Sequence, residues 1–282
     1  MLEGKTCLVT GSTSGIGKEI AIGLGRLGAS VILVGRSQEK CRSAAREVAG
    51  FSSNQVPRYF VADLSSQQAI RNLASEVTSA LDHLDVLVNN AGIFMASREV
   101  SPEGIELTFA VNHLAPFLLT NLLLGLLKKT PSARIVTTSS IAHRGAHIDF
   151  DDINFETKKY SGIRAYGQSK LANILFTREL ARRLSSAGAN VTANCFHPGG
   201  VRTNFMRNNP LAYKLVWAVA APFLISAQKG ADTGIFLASS PDIEGVSGKY
   251  FVKRRQVVPS SAAQSDESAS RLWSLSEKMT SA

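Results

Sequence analysis

Short apolar runs alternate with amphipathic segments along most of the chain. Runs such as TCLVTG, SVILVG and LDVLVNN are almost uniformly apolar and rich in β-branched residues. Between such runs lie segments such as GKEIAIGLGRLG and QAIRNLASEVTSAL, in which apolar residues recur every three or four positions. The first pattern is typical of strands buried on both faces, and the second of helices. The sequence therefore predicts an α/β protein with a doubly wound parallel sheet of about seven strands and helices on both faces.

The pattern continues without an internal repeat or an evident linker, so we expect one domain over residues 1–282. The polar stretch PSSAAQSDESAS is expected to be a loose tail, and SRLWSLSEKM after it has the spacing of a final helix.

Of two long apolar stretches, 114–127 has the length of a core helix. The other, 211–227, is interrupted by Lys214 and Pro222, so we expect no transmembrane segment there. It can be buried, cover a ligand, or contact a membrane surface peripherally.

Composition and charge narrow the function classes. A hydrophobic content of 44% is enough to fill a large core, and 31 Lys+Arg against 22 Asp+Glu give a net charge of +9. The basic residues occur in short groups without interleaved aromatic residues, so we expect no nucleic-acid partner. The three cysteines form no CxxC pair and the histidines lack ligand spacing, so neither a disulfide scaffold nor a metal site is expected. No secretory signal is seen, and a cytoplasmic or peripherally membrane-associated protein is expected.

The stretch AYGQSKLAN places Tyr166 and Lys170 four positions apart in a predicted helix. Four residues make about one turn, so both side chains project from one face. An exposed Tyr/Lys pair on an amphipathic helix is one interpretation. A phenol whose proton affinity is adjusted by an adjacent ammonium group is the other.

A glycine-rich turn follows the first predicted strand, in VTGSTSGIGKE. Gly11, Gly15 and Gly17 form GxxxGxG rather than the standard GxGxxG, and a tight strand–helix turn alone would explain them. The alternative is a dinucleotide pyrophosphate bound at the helix N-terminus. The second strand ends in Gly35 and Arg36, where an NAD-selecting acid usually stands. Arg36 can pair with a 2′-phosphate, so NADP(H) is the expected cofactor.

Seven short motifs follow one another in order: TGSTSGIG (10–17), AD (62–63), NNAG (89–92), VN (111–112), SS (139–140), YGQSK (166–170) and HPGGVRT (197–203). This order resembles the short-chain dehydrogenase/reductase superfamily over essentially the whole chain. The resemblance implies a single-domain Rossmann fold and an oxidoreductase. Residues 1–135 would form about the cofactor half, residues 136–258 about the catalytic and substrate half, and 259–282 a polar tail with a possible terminal helix. A homodimer is compatible with the resemblance.

The resemblance also implies catalytic roles. Tyr166 would be the general acid in carbonyl reduction and the general base in alcohol oxidation. Lys170 would lower the pKa of Tyr166 and bind the nicotinamide ribose, while Ser140 would hold the substrate oxygen. Asn112 would position a water or backbone contact that connects Lys170 to solvent. The hydride itself is carried by the nicotinamide.

The same resemblance implies a cofactor site on the loops that follow the strands. Asp63 would accept a hydrogen bond from the adenine amino group, and the residues of HPGGVRT would hold the nicotinamide end. The cofactor-binding residues implied are Gly11, Ser12, Thr13, Ser14, Gly15, Ile16, Gly17, Arg36, Asp63, Leu64, Asn90, Ala91, Gly92, Tyr166, Lys170, Pro198, Gly199, Val201 and Thr203.

Ser140 and Tyr166 are 26 positions apart, and the intervening HRGAHIDFDDINFETKKYSGIRAY resembles the retinol dehydrogenase-like branch. That branch implies a small hydrophobic carbonyl or alcohol substrate: a retinoid, lipid aldehyde, steroid or xenobiotic carbonyl. The apolar stretch 211–227 would then suit a substrate lid. Two other interpretations stay open: a non-catalytic NADP(H)-binding protein, and a membrane-surface protein, each on the same fold.

Overall fold

A single eight-stranded sheet forms the centre of the protein. The computed structural model describes residues 1–51, 56–201 and 224–281. The strand order is β3-β2-β1-β4-β5-β6-β7-β8, and every neighbouring pair is parallel except β7 and β8. The strands are β1 (Thr6–Thr10), β2 (Ser30–Gly35), β3 (Arg58–Val61), β4 (Val86–Asn89), β5 (Ala133–Thr138), β6 (Val191–His197), β7 (Tyr250–Val252) and β8 (Arg255–Gln256). The predicted doubly wound sheet is confirmed, with one short antiparallel edge strand beyond the predicted seven.

Seven helices in the described part of the chain cover this sheet. They are α1 (Gly15–Arg26), α2 (Gln38–Ala49), α3 (Gln67–Ala80), α4 (Leu107–Lys128), α5 (Gly162–Ser186), α6 (Ala227–Ser239) and α7 (Asp266–Thr280). Strand β1 shows how both faces are buried: Leu8 belongs to a core cluster with residues of α3, α4 and α5, whereas Cys7 and Val9 belong to a second cluster with residues of α1, α2 and α6. This burial on both faces explains the continuous apolar runs in the strands.

The strand order reverses between β1 and β4, where the chain leaves β1 toward one side and β4 toward the other. In open α/β sheets a ligand binds outside the carboxyl ends of the strands at such a point. The loops that start at Thr10 and Asn89 therefore bound the expected crevice, and the loop after β5 lies beside them.

Helix α4 is longer than the sequence predicts. Its 22 residues are apolar enough to cross a membrane, but 78% of the most apolar stretch is buried inside the protein. Buried Glu106 caps the first turn by accepting from the backbone N–H groups of Thr108 and Phe109 at 2.9 and 2.7 Å. The turn Ala110–Leu114 is π-helical. The helix therefore packs as a core element, in agreement with the core-helix interpretation of 114–127.

The predicted loose tail is wrong for residues 261–270. Ser261–Gln264 forms a 3₁₀ turn and α7 begins at Asp266, with Ala263 and Ala269 almost fully buried. The Trp273 ring lies against Phe117 and Phe176, at centroid distances of 4.9 and 6.0 Å. Small alanines and one large aromatic side chain therefore hold this polar segment against α4 and α5. Most of the apolar stretch 211–227 lies outside the described residues.

Candidate active site

Tyr166 and Lys170 lie on the N-terminal half of α5, which two glycines bring close to neighbouring loops. A Cβ at Gly162 would lie 2.2 Å from the Met95 carbonyl oxygen, and one at Gly167 would lie 2.9 Å from that of Ala142. Any larger side chain would push the helix away from both loops. These close approaches place the partly buried Tyr166 between the loop after β4 and the turn after β5.

Lys170 is buried, with only 3% of its surface exposed. Its Nζ donates to the Thr138 carbonyl oxygen at 3.0 Å and lies 5.6 Å from the centroid of the Tyr166 ring. Burial disfavours the ammonium ion and lowers the pKa of Lys170 to about 8. The interpretation of an exposed Tyr/Lys pair is therefore wrong.

The direction of the Tyr166 pKa shift also differs from the prediction. Burial raises the pKa of the phenol to about 12, and a hydrogen bond with the Ser140 side chain acts in the opposite direction. Lys170 was expected to lower this pKa, but its ammonium group is directed to the Thr138 carbonyl. Tyr166 is therefore protonated at neutral pH, which is the form that donates a proton.

Ser140 follows β5 in extended conformation and begins a 3₁₀ turn over Ile141–His143. Its Oγ accepts from the Ala142 backbone N–H at 3.2 Å, and its side chain also hydrogen-bonds Tyr166. The preceding Ser139 Oγ donates to the Lys170 carbonyl at 2.8 Å, which ties the end of β5 to α5. The two serines thus differ in use: one faces the tyrosine, and the other joins two elements.

Asn112 lies in the π-helical turn of α4 and is fully buried. Its Oδ1 accepts from Ile93 N at 2.7 Å, and its Nδ2 donates to Ile93 O at 3.0 Å and to Ser169 Oγ at 2.9 Å. A Cβ at Gly92 would lie 3.2 Å from Asn112 Oδ1 and 3.5 Å from Lys170 Nζ. Asn112 therefore fixes the loop after β4 beside Lys170. Its location in a π-helical turn agrees with a functional site, because such turns are frequent there.

The glycine-rich turn has no space for side chains at two of its three glycines. A Cβ at Gly17 would lie 2.4 Å from the Gly11 carbonyl oxygen and from Asn90 Nδ2, and one at Gly11 would lie 2.9 Å from Ala91 Cα. Gly11 and Gly15 have φ of 65° and 56°, a region that favours glycine. The turn brings backbone against backbone at the start of α1, and no side chain caps that helix at Ser14. Free N–H groups at a helix start suit a phosphate.

Three polar side chains hold this turn in place. Thr10 Oγ1 accepts from the backbone N–H groups of Asn90 and Ala91 at 3.0 and 3.1 Å, and Asn90 Nδ2 donates to Thr10 O at 3.0 Å. Buried Ser12 accepts from Val34 N at 3.0 Å. Direct hydrogen bonds therefore join the glycine-rich turn to β2, and the end of β1 to the loop after β4. Thr10 was not among the predicted site residues, although it precedes the first glycine.

Arg36 is exposed at the end of β2. A Cβ at Gly35 would lie 2.4 Å from Thr13 Cγ2, so the site of the usual acid is closed to a side chain by the glycine-rich turn itself. Lys18 pairs with Glu47 at 2.6 Å. Asp63, also exposed, accepts from the N–H and hydroxyl of Ser65 at 3.0 and 2.8 Å.

The segment after β6 completes the row of loops. Gly199 has φ of 96°, and a Cβ there would lie 2.8 Å from Ile225 Cδ1. Val201 pairs with Ile225, and its side chain contacts Gly230 on α6. Pro198 is partly buried, and Thr203 lies outside the described residues. The described predicted site residues thus follow the carboxyl ends of strands β1 to β6, or lie on the adjoining helices α1, α4 and α5.

Several known proteins are similar to this chain. It matches the family model described as short chain dehydrogenase over residues 5–214. Retinol dehydrogenase 13 of Homo sapiens is 40% identical, with 99% of this chain and 85% of the relative covered. Retinol dehydrogenase 14 of Mus musculus is 42% identical, with 99% and 86% covered. Retinol dehydrogenase 12 of Mus musculus is also 42% identical, with 98% and 86% covered.

Solved structures share the fold. An uncharacterized protein from Mycobacterium paratuberculosis superposes with a TM-score of 0.81 and 34% identity, covering 99% of this chain and 94% of that one. The RhlG/NADP active-site complex of Pseudomonas aeruginosa gives a TM-score of 0.70 with 28% identity, covering 89% and 94%.

Proposed function

This chain belongs to the short-chain dehydrogenase/reductase family, in its retinol dehydrogenase-like branch, and we propose that it interconverts a hydrophobic carbonyl compound and its alcohol with NADP(H). Membership of this family shows that the chain is an oxidoreductase that binds a nicotinamide cofactor. The catalytic residues, the choice of NADP(H) and the class of substrate are the proposal. The observation that carries it is the hydrogen bond between the Ser140 side chain and Tyr166, with the buried Lys170 Nζ 5.6 Å from the tyrosine ring centroid.

The glycine-rich turn supports binding of a dinucleotide. Side chains are excluded at Gly11 and Gly17, so a pyrophosphate can approach the backbone and the free N–H groups at the start of α1. Residues Asn90 to Gly92 would line the adenosine side, with Asp63 and Leu64 at the adenine, and Pro198, Gly199 and Val201 at the nicotinamide end. When bound, the nicotinamide supplies or accepts the hydride.

Tyr166 would handle the proton. In carbonyl reduction its Oη donates a proton to the substrate oxygen as that oxygen gains negative charge. The Ser140 hydroxyl donates a hydrogen bond to the same oxygen and orients it. The phenol is protonated at neutral pH and can therefore act as the proton donor in reduction. The charge of Lys170, 5.6 Å from the ring centroid, would partly offset the effect of burial on the phenolate that forms.

Arg36 would select NADP(H). It is exposed at the end of β2, and the preceding Gly35 leaves no carboxylate to repel a 2′-phosphate. A guanidinium group forms charge-assisted, bidentate hydrogen bonds with phosphate. The similarity to the RhlG/NADP complex supports this choice.

The names of the retinol dehydrogenase relatives support an apolar substrate. Next to the reacting group, the buried Phe94 ring lies 6.0 Å from the Tyr166 ring in an edge-on arrangement. An aromatic wall at this position favours a planar or aliphatic carbonyl compound over a charged one.

The proposal is tested by incubating the purified full chain with NADPH or NADH and with all-trans-retinal, nonanal or a ketosteroid. Alcohol formation is measured by chromatography and the cofactor by absorbance. We expect reduction of at least one apolar carbonyl compound, with kcat/KM higher for NADPH by about tenfold or more. Binding of NADPH without turnover of any of them would instead support the non-catalytic interpretation. A preference for NADH would contradict the role of Arg36.

A further inference from the structure

His143 lies directly behind Ser140 and is fully buried. Its Nδ1 is 2.7 Å from the Ser140 carbonyl oxygen, and its Nε2 is 3.2 Å from the backbone N of Ser260, in the segment that precedes α7. The Tyr250 ring packs against the imidazole at 5.0 Å, edge to face. One imidazole therefore joins the turn after β5 to a segment 117 positions away.

These partners determine where the imidazole proton lies. The Ser260 N–H is a donor, so Nε2 accepts and carries no proton. The Ser140 carbonyl is an acceptor, so Nδ1 carries the proton and donates it. Burial and the charge of Arg144 lower the pKa of His143, which agrees with a neutral ring. A charged imidazolium would direct an N–H at the Ser260 N–H.

The imidazole restrains the peptide group of Ser140 itself. The Ser140 carbonyl oxygen accepts the side-chain bond from His143 Nδ1 in addition to the backbone bond from His143 N at 3.2 Å. Fixing this peptide fixes the direction of the Ser140 Cα–Cβ bond, and hence where its hydroxyl group lies relative to Tyr166. A misplacement of about 1 Å at a reacting group can cost on the order of a hundredfold in rate.

We propose that His143 is a positioning residue for Ser140, which transmits the packing of the C-terminal segment to the hydroxyl that orients the substrate. The inference rests on the proposed function, since it requires that Ser140 hold the substrate oxygen. Its effect acts on kcat, through the geometry of Ser140, and leaves the cofactor site unchanged.

The matched variants are His143→Asn and His143→Leu, which have nearly the same shape. The asparagine amide nitrogen takes the position of Nδ1 and still donates to the Ser140 carbonyl, whereas leucine cannot. With all-trans-retinal and NADPH, we expect His143→Leu to lower kcat by about tenfold or more, and His143→Asn to stay within about threefold of wild type. The Kd for NADPH stays within about twofold in both. Thermal unfolding curves of both variants give a temperature at which each is folded, and kcat is measured at that temperature.

The decisive comparison repeats both variants in a Ser140→Ala background. If His143 acts through Ser140, the Asn and Leu variants there have equal kcat, because no hydroxyl remains to be positioned. A difference that persists without Ser140, or equal kcat of the two variants when Ser140 is present, overturns the inference. A Ser140→Ala enzyme with wild-type kcat refutes the proposed function of Ser140 and the inference with it. If Ser140→Ala loses activity but the Asn and Leu variants of His143 have equal kcat in the protein that keeps Ser140, the inference alone is refuted.

Ser260→Pro provides a second test if His143→Leu does not fold. Ser260 has φ of −60°, which proline adopts, so this variant removes the N–H donated to Nε2 and the side-chain hydroxyl. Its ring Cδ also takes the place of that N–H hydrogen and displaces the imidazole from its position. Ser260→Ala, which keeps the N–H, is the reference for that comparison. We expect kcat of the proline variant to be lower than that of the alanine variant by about threefold, and this difference to vanish in the Ser140→Ala background. Equal kcat of the two variants overturns the inference.

Discussion

Lys170→Met should remove activity and raise stability at neutral pH. The ammonium group is buried, and its partner, the Thr138 carbonyl oxygen, also accepts from Asn173 Nδ2 at 3.1 Å. The carbonyl therefore keeps one donor when the lysine is replaced. Methionine has a similar length and fills the same space without charge. A residue kept for catalysis at a cost in stability is expected to behave in this way.

The expected gain follows from the lysine pKa. Burial lowers it from 10.5 to about 8, which corresponds to about 3 kcal/mol of free energy against the charged form in the folded protein. The lost hydrogen bond to Thr138 subtracts about 1 kcal/mol. Lys170→Met should therefore unfold with a free energy about 2 kcal/mol above that of wild type at neutral pH.

The pH dependence has a definite sign. Below about pH 8 the lysine is charged in the folded and the unfolded chain, so the destabilisation is complete. Between about 8 and 10.5 the unfolded chain binds more protons, so the free energy of unfolding contributed by Lys170 rises with pH. The advantage of the methionine variant should therefore shrink as the pH approaches 10.5.

Urea unfolding of both proteins at about pH 7 and about pH 9.5 measures this difference. Lys128→Met, at an exposed position in the last turn of α4, is the matched control and should change the free energy of unfolding by about 0.5 kcal/mol or less at either pH. Lys170→Met should also lose about a hundredfold or more in kcat. The reasoning fails if Lys170→Met is less stable than wild type at pH 7, or if the difference does not shrink at higher pH.

Three further predictions concern the cofactor and the pH profile. Arg36→Asp should weaken NADPH binding by roughly a hundredfold and leave NADH unchanged or improved, and kcat/KM for both cofactors tests this; an unchanged ratio would place selectivity elsewhere. Gly17→Ala should raise the Kd for NADPH by about tenfold or more, because its Cβ would lie 2.4 Å from a backbone carbonyl oxygen. Gly125→Ala, with open space around it, should leave this Kd unchanged. Equal Kd values for the two variants would contradict the proposed binding of a pyrophosphate at the glycine-rich turn. The kcat/KM for reduction should fall above about pH 8 as Lys170 loses its charge, and the residual activity of Lys170→Met should lack this decline.

Local steric rules made the conformation of the glycine-rich turn predictable. The glycines of the turn follow a strand and precede a helix, and their spacing reflects contacts made within a few residues and with the next loop. The close approach of Gly17 to the Gly11 carbonyl is of this kind. The parallel strands, buried on both faces, were predictable from their continuous apolar character for the same reason.

The electrostatics around Tyr166 and Lys170 depend on tertiary burial, which the spacing of residues along the chain does not indicate. The sequence correctly placed Tyr166 and Lys170 on one helical face, but the Thr138 carbonyl that receives the ammonium group comes from β5. Burial disfavours the charged form of both groups, which raises the pKa of Tyr166 and lowers that of Lys170. The expected net lowering of the tyrosine pKa was therefore wrong. The π-helical turn around Asn112 gave no signal in an otherwise helical pattern.

The C-terminal segment shows a different limit. The polarity of residues 259–270 indicated a loose tail, yet α7 already begins at Asp266, and Ser276 and Thr280 farther along it are fully buried. Their hydroxyl groups donate to the carbonyls of Leu272 and Ser276 one turn earlier, at 2.8 and 2.7 Å, so no polar group is left unsatisfied by burying them. The hydrogen bond from Ser260 N to His143 Nε2 could not be predicted from the sequence either, because it joins residues 117 positions apart.

The most direct test of the proposed mechanism is the kcat of Tyr166→Phe for NADPH-dependent reduction of all-trans-retinal, measured together with the Kd for NADPH. Phenylalanine keeps the ring and removes the hydroxyl that hydrogen-bonds Ser140. We predict a loss of about a hundredfold or more in kcat, with the Kd for NADPH within about twofold of wild type. Retention of more than about a tenth of the wild-type kcat would contradict the assignment of Tyr166 as the proton donor.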